Sequence, residues 1–172
     1  VKEIDALGGI MARAADETAI QYRVLNTKKG PAVRATRTQN DRWLYEAAVK
    51  EKLEAAGIHL RQARVDSIET SGSAVSGIID HTGMFYGAKA VIITAGTFLS
   101  GTIHIGEKRI PAGRAGEEGA YELSECIRGL GFAMGRHKTG TPPRLNADSV
   151  DFDRLERQDP IEEVMPFSLD SQ

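Results

Sequence analysis

Residues 65–97 read V-D-S-I-E-T-S-G-S-A-V-S-G-I-I-D-H-T-G-M-F-Y-G-A-K-A-V-I-I-T-A-G-T. Apolar and polar residues alternate over Val65–Glu69, Ala74–Asp80 and Met84–Tyr86, with S-G-S and H-T-G between them. That period of two, broken by turn residues, predicts three short strands in an antiparallel meander. The next run, Ala88–Gly96, is apolar and β-branched through its middle, which predicts a strand covered on both faces. It ends on Thr94-Ala95-Gly96-Thr97, where small residues let a ligand approach the backbone. In an open α/β sheet, the carboxyl end of a central strand is where cofactors sit.

Upstream, Ile4, Leu7, Ile10 and Met11 recur at helical spacing within Val1–Ala15, and Gly8-Gly9 marks a close-packing point or a break. Ile20, Tyr22 and Val24 alternate as in a short strand. Leu25–Gln39 reads as a loop carrying Lys28, Lys29, Arg34 and Arg37 around Gly30-Pro31. Asn40 or Asp41 caps a helix whose buried stripe is Leu44, Ala47, Ala48, Val49, Leu53 and Ala56, and Gly57 ends it. Ile58–Leu60 reads as a further strand. Downstream, His104 lies between Ile103 and Ile105 in a strand pattern. Gly113–Glu117 opens a helix running to about Leu130, whose free N–H groups suit an anion or, with Glu117 placed for the helix dipole, serve ordinary helix initiation equally well. Cys126 falls within that helix among Leu123, Ile127 and Leu130, as a packing residue and not a nucleophile.

Composition bounds the function classes. The chain has 172 residues, 41% of them hydrophobic, and a formal charge of −2, so it suits one folded domain and not a globally basic nucleic-acid binder. Its single cysteine excludes an internal disulfide framework and a multi-cysteine metal site. With no leader-like segment and no long apolar run, a cytoplasmic setting away from membranes is expected. The opening on Val1 inside a helical pattern suggests part of a longer protein. Arg136–Arg144, R-H-K-T-G-T-P-P-R, sets Gly140 and two prolines among Arg136, Lys138, Arg144 and two threonine hydroxyls, a stiff edge suited to phosphate oxygens.

The order of helix, strand, meander and a run ending in T-A-G-T is similar to the FAD-binding domain of glutathione-reductase-like flavoproteins. Four stretches together, V-K-E-I-D-A-L-G-G (Val1–Gly9), K-G-P-A-V-R-A-T-R-T-Q-N-D-R (Lys29–Arg42), G-T-F-L-S-G-T-I-H-I-G (Gly96–Gly106) and K-T-G-T-P-P-R (Lys138–Arg144), resemble the MnmG (GidA) family of tRNA uridine 5-carboxymethylaminomethyl modification proteins. The resemblance covers nearly the whole chain and weakens after Asp159.

It implies an α/β fold, a fragment of a glutathione-reductase-like FAD-binding Rossmann domain with an antiparallel β-meander. Residues 1–150 would belong to that domain, lacking its N-terminal Gly-rich loop, and 151–172 would begin an inserted segment. It implies FAD, NADH as reductant, methylene-tetrahydrofolate as carbon donor and no metal. It also implies tRNA as substrate, the partner GTPase MnmE, a homodimer, and addition of an aminomethyl-type group at C5 of the wobble uridine. The isolated fragment is expected to be inactive. Val65 matches a position whose backbone meets the adenine part of FAD, and Thr94, Ala95, Gly96 and Thr97 match the motif beside the flavin. Ala120 replaces a flavin-contacting serine of some relatives. Lys29, Arg34 and Arg37 would face flavin, folate or tRNA, and Lys138 and Arg144 are candidates for tRNA. The alternatives are a folate- and FAD-dependent tRNA uridine methyltransferase and a non-enzymatic tRNA-binding module.

Overall fold

The computed structural model describes residues 1–159 and 166–171. The chain forms a mixed α/β structure whose described strands all pair antiparallel, in three small sheets. It divides into two compact units, residues 1–60 with 143–172 and residues 61–142. Part of the stretch 151–172, expected to begin an inserted segment, lies outside the described residues.

The first unit begins with two short helices, α1 (Lys2–Ala6) and α2 (Met11–Glu17), so the Gly8-Gly9 signal is a break. Ala12, Ala14 and Ala15 of α2 are buried. Strands β1 (Ala19–Leu25) and β2 (Ala35–Asn40) form a two-stranded ribbon. The strand expected from Ile20, Tyr22 and Val24 therefore forms, although Ile20 is exposed and the burial along it does not alternate, whereas the reading of Leu25–Gln39 as loop throughout is corrected. Thr36, Thr38 and Asn40 alternate with exposed Ala35, Arg37 and Gln39, and this period of two was masked by the surrounding cations. Asn40 Nδ2 then donates to the carbonyl of Ala15 at 2.6 Å, tying the strand end to α2.

Helix α3 (Arg42–Ala55) starts where Asp41 accepts from the N–H groups of Trp43 and Leu44 at 2.9 and 3.0 Å, satisfying two of the helix's orphan donors. Gly57 follows its end with φ +72°, a conformation open to glycine. The expected buried stripe is not buried: Ala48, Val49 and Leu53 are half-buried, while Leu44, Ala47 and Ala56 are exposed. Helical spacing shows that a face is apolar but does not supply its cover. Lys52 instead reaches Glu17 on α2 at 2.8 Å.

The segment 166–171 is stitched to α1 and α2 by carboxylates. Asp5 accepts from the Ser168 hydroxyl at 2.8 Å and the Leu169 N–H at 3.1 Å, and Asp16 from the N–H groups of Phe167 and Ser168 and from the Tyr22 hydroxyl. Burial opposes ionisation of Asp16, but these donors outweigh it and hold its carboxyl below the usual value. Burial, reinforced by the Asp16 carboxylate, pushes the Tyr22 hydroxyl up to about 12.

In the second unit, β3 (Val65–Ser71), β4 (Ala74–Asp80) and β5 (Phe85–Gly87) form the expected meander. Helix α4 (Tyr121–Gly129) packs on β3, burying Leu123 and Ile127. Cys126 is half-buried there, its Sγ 3.3 Å from the Ile68 N–H, in keeping with a packing role. A ribbon of β6 (Thr102–Ile105) and β7 (Lys108–Pro111) sets exposed His104 opposite Arg109.

Three further expectations are corrected. Ile58–Leu60 is not a strand. Ala88–Gly96 is not a strand either, and Ile92 is 87% exposed. A doubly covered strand draws its hydrogen bonds and its cover from neighbouring strands, and beyond Ala88, whose N–H reaches the Ser76 carbonyl of β4, none of the described strands pairs with these residues. The helix begins at Tyr121, not Gly113. Residues 113–117 form a turn closed by backbone bonds between Arg114 and Glu117 and by their ion pair, so the expected helix N-terminus for an anion is absent there.

Candidate cofactor cleft and basic ribbon

Within the second unit, an open cleft of about 750 Å³ is lined by Val65, Thr94, Ala95, Phe98, Ala120 and Leu123, with Arg64, His81 and Glu118 among its polar groups. Three residues singled out from the sequence, Val65, Thr94 and Ala95, thus meet at one site. Val65 comes from the first residue of β3 and the other two from the end of the Ala88–Gly96 run.

Gly96 and Thr97 fall outside the lining, in a turn where Phe98 N–H bonds to the Ala95 carbonyl at 2.9 Å. Gly96 has φ +54°, and a Cβ built there meets nothing within 4 Å, so the backbone conformation selects glycine rather than crowding within the chain. Ala120 lines the cleft with its N–H committed to the Phe98 carbonyl at 2.8 Å and its carbonyl accepting from Ser100. Its methyl replaces any hydroxyl at this point, and its N–H is not free for a ligand.

The rim is held by turn chemistry. Asp80, 5% exposed, accepts from the Thr82 hydroxyl at 2.6 Å, from the N–H groups of Thr82 and Met84, and from the Tyr86 hydroxyl at 2.9 Å. The Thr82 hydroxyl leads the hydrogen bonds that, against the opposing effect of burial, hold the Asp80 carboxyl at about 2. His81, in the middle of this turn, is fixed further by its N–H to the Arg64 carbonyl at 2.9 Å. Arg64 is neutralised where it stands: Nε meets Asp66 at 3.1 Å and an Nη meets Glu118 at 3.0 Å. The cleft is therefore apolar walled, with its guanidinium already paired.

The basic candidates lie elsewhere. Lys29, Arg34 and Arg37 are exposed on the β1–β2 ribbon and the loop at its tip. Lys138 and Arg144 are exposed on an irregular stretch and fall in different units. Sequence reasoning missed Phe98, His81 and Arg64 in the cleft, although Arg64 precedes Val65 directly and His81 sits in the H-T-G turn. It also missed Arg23, which β1 places directly opposite Arg37. Among the described residues no group of carboxylate, histidine and cysteine side chains is arranged to hold a metal ion. No helix among them is long and apolar enough to cross a membrane.

The family model described as glucose inhibited division protein A matches residues 1–172. A Syntrophobacter fumaroxidans protein named tRNA uridine 5-carboxymethylaminomethyl modification enzyme MnmG is 52% identical over 170 residues, 98% of this chain and 26% of that protein. A protein of the same name from Thermodesulfovibrio yellowstonii is also 52% identical, over 98% of this chain and 27% of its own length. The chain thus spans about a quarter of the length of these relatives. Aquifex aeolicus GidA, in its form I crystal, superposes with a TM-score of 0.88 at 42% identity, over 97% of this chain and 28% of that structure. Because sequence and fold agree along essentially the whole chain, it belongs to the glucose inhibited division protein A family.

Proposed function

We propose that this chain is part of an FAD-dependent enzyme that modifies a uridine of tRNA, and that its cleft takes a portion of the flavin dinucleotide. The observation that carries the reading is the match, at 52% identity over 98% of the chain, to a relative named as a tRNA uridine modification enzyme. Residues 1–150 supply part of the dinucleotide-binding domain, and 151–172 begin an inserted segment.

The residues present fit the ring-bearing part of such a cofactor. Val65, Ala95, Phe98, Ala120 and Leu123 offer apolar walls, and Thr94 adds a hydroxyl at the edge. They fit its phosphates poorly, since Arg64 is paired with Asp66 and Glu118. Pyrophosphate donors would come from another part of the protein, as a Gly-rich loop at a helix N-terminus provides them. When bound, the flavin supplies the redox chemistry. The chain's own contribution is to hold rings against an apolar wall and exclude water. The positive-φ turn at Gly96 brings bare backbone beside the rim.

The finer reading is addition of an aminomethyl-type group at C5 of the wobble uridine, together with the partner GTPase MnmE. NADH serves as reductant, methylene-tetrahydrofolate as carbon donor, and the full-length protein acts as a homodimer. Lys29, Arg34 and Arg37, and Lys138 and Arg144, are the candidate contacts to cofactor or tRNA. The purified full-length protein is expected to show a bound-flavin absorption spectrum and to bind unmodified tRNA. Binding of tRNA without flavin would replace this reading by that of a binding module.

A further inference from the structure

Between Thr18 and Asn40 the chain has five cations, Arg23, Lys28, Lys29, Arg34 and Arg37, and no carboxylate, although the whole chain carries −2. We propose that the face of the β1–β2 ribbon bearing half-buried Arg23 and exposed Arg37, with the exposed Lys28–Arg34 loop at its tip, holds tRNA by its phosphates. The proposal rests on the tRNA-modifying reading above and assigns the surface that reading leaves open.

Register supplies the first argument. Arg23 stands directly opposite Arg37, flanked by the pairs Gln21–Gln39 and Leu25–Ala35. On β2 this is the outward face, since Ala35, Arg37 and Gln39 are exposed while Thr36, Thr38 and Asn40 turn inward. Like charges directly across an antiparallel pair cost stability, and an anion between them reverses the sign. No carboxylate does this here: none of the five cations forms an ion pair among the described residues, whereas Arg13, Lys52, Arg64, Arg114 and Arg128 do.

A second observation shows which atoms the face accepts. The Gln21 side-chain amide donates to the Gln158 carbonyl at 2.9 Å, and Arg23 donates to the Gln158 side-chain oxygen. Two neutral oxygens therefore occupy positions that phosphate oxygens would take with stronger, charge-assisted bonds.

The tip is built and not loose. Asn26, with φ +58°, donates from its side chain to the Val33 carbonyl at 3.0 Å, Lys29 N–H bonds to the Asn26 carbonyl at 2.9 Å, and Pro31–Val33 form a 3-10 turn. Ordering the loop on binding therefore costs less. The cations also stand along a ribbon and not around a hollow. One strand step of two residues, roughly 7 Å, separates the Arg23–Arg37 pair from the last pair, and the loop cations lie beyond it. This spread suits successive phosphates of a polynucleotide better than one diphosphate. RNA helices are recognised mainly through phosphate, shape and 2′-hydroxyl contacts, for which the exposed Gln39 amide and its partner Gln21 are suitable.

The test uses full-length protein, an unmodified tRNA transcript and salt from roughly 50 to 200 mM, a range over which phosphate contacts separate clearly. Lys28→Gln/Lys29→Gln alters two side chains with no hydrogen bond among the described residues, and a quadruple variant adds Arg34→Gln and Arg37→Gln. Each lost phosphate contact lowers the slope of log affinity against log salt by about 0.7 to 0.9, so the pair should lower it by about 1 to 2 and the quadruple variant by about 2 to 4. The bound-flavin spectrum should not change, and Arg34→Lys/Arg37→Lys should retain the wild-type slope. An unchanged slope in the double and quadruple variants overturns the proposal, as does loss of flavin without a change in slope, which would assign the loop to the cofactor. If wild-type protein shows no tRNA binding at all, the functional reading itself falls, and the proposal with it.

Discussion

The cleft beside β3 and the β1–β2 ribbon both contain arginine, and they use it in opposite ways. Arg64 in the cleft meets Asp66 and Glu118, and nearby Arg114 meets Glu117, so apolar Val65, Ala95 and Phe98 set the character of the hollow. On the ribbon, Arg23 faces Arg37, and neither forms an ion pair with a carboxylate among the described residues. An arginine count is the same kind of number in both regions, yet one surface suits uncharged rings and the other a polyanion. What decides is whether the fold delivers a carboxylate to each guanidinium. The proposed division gives rings to the cleft and phosphates to the ribbon, and variants on each surface should then affect different ligands.

The largest effect is expected from Gly96→Val in the full-length protein. The residue sits at φ +54° beside the cleft, where an L side chain costs about 1–2 kcal/mol and a branched one more. Under the proposed reading, the same branched side chain would also crowd rings held next to Ala95 at the cleft edge. Flavin content, read from absorbance against protein, should fall further than the folded fraction read by circular dichroism. An equal loss of both would reduce Gly96 to a folding residue and weaken the cleft side of the comparison.

Asp80→Ala comes next. It strips the β4–β5 turn of the acceptor for Thr82, Met84 and Tyr86, so the melting temperature should drop and His81 should lose its fixed place at the rim. Asp80 titrates near 2 in the folded chain against an ordinary 3.8. Its contribution is therefore complete above about pH 4 and is lost as the pH falls from about 4 to 2. Wild-type stability should decline across that window, and the Asp80→Ala protein should show a shallower decline. Parallel pH profiles would mean that the turn is held by its backbone alone.

A smaller change is expected for Lys138→Ala/Arg144→Ala. If these exposed side chains meet tRNA phosphates, the salt slope of tRNA binding should fall by about one to two units with flavin retained. An unchanged slope would leave the ribbon as the principal basic surface. Tyr22→Phe should have the least effect, about 1 kcal/mol or less in a denaturant titration, because Asp16 keeps the N–H groups of Phe167 and Ser168.

The meander was legible in the sequence because strand alternation and turn chemistry are local: S-G-S and H-T-G lie where β3, β4 and β5 are joined. Small residues ending an apolar run likewise pointed to Thr94 and Ala95 at the cleft. The strand expected at Ala88–Gly96 was not realised because a strand is a relation between segments, and beyond Ala88 no described strand pairs with it. The α3 stripe failed for the same reason, periodicity without cover. Strand β2 was hidden by composition, its inward Thr36, Thr38 and Asn40 standing among arginines that read as loop. The Arg23–Arg37 pair required register, which residue spacing alone did not provide. Asp80 looked like the polar end of a strand, and its role depends on donors from three following residues.

Flavin content and tRNA salt dependence, measured side by side in two full-length variants, separate the two surfaces. Ala95→Trp places a large ring in the cleft, and the quadruple neutralisation at Lys28, Lys29, Arg34 and Arg37 strips the ribbon. Ala95→Trp should lose most of its flavin while its tRNA salt slope stays at the wild-type value, and the neutralised ribbon should keep its flavin while its slope falls by about 2 to 4. Loss of flavin from the ribbon variant, or a reduced tRNA slope in Ala95→Trp, would contradict the division between the two surfaces.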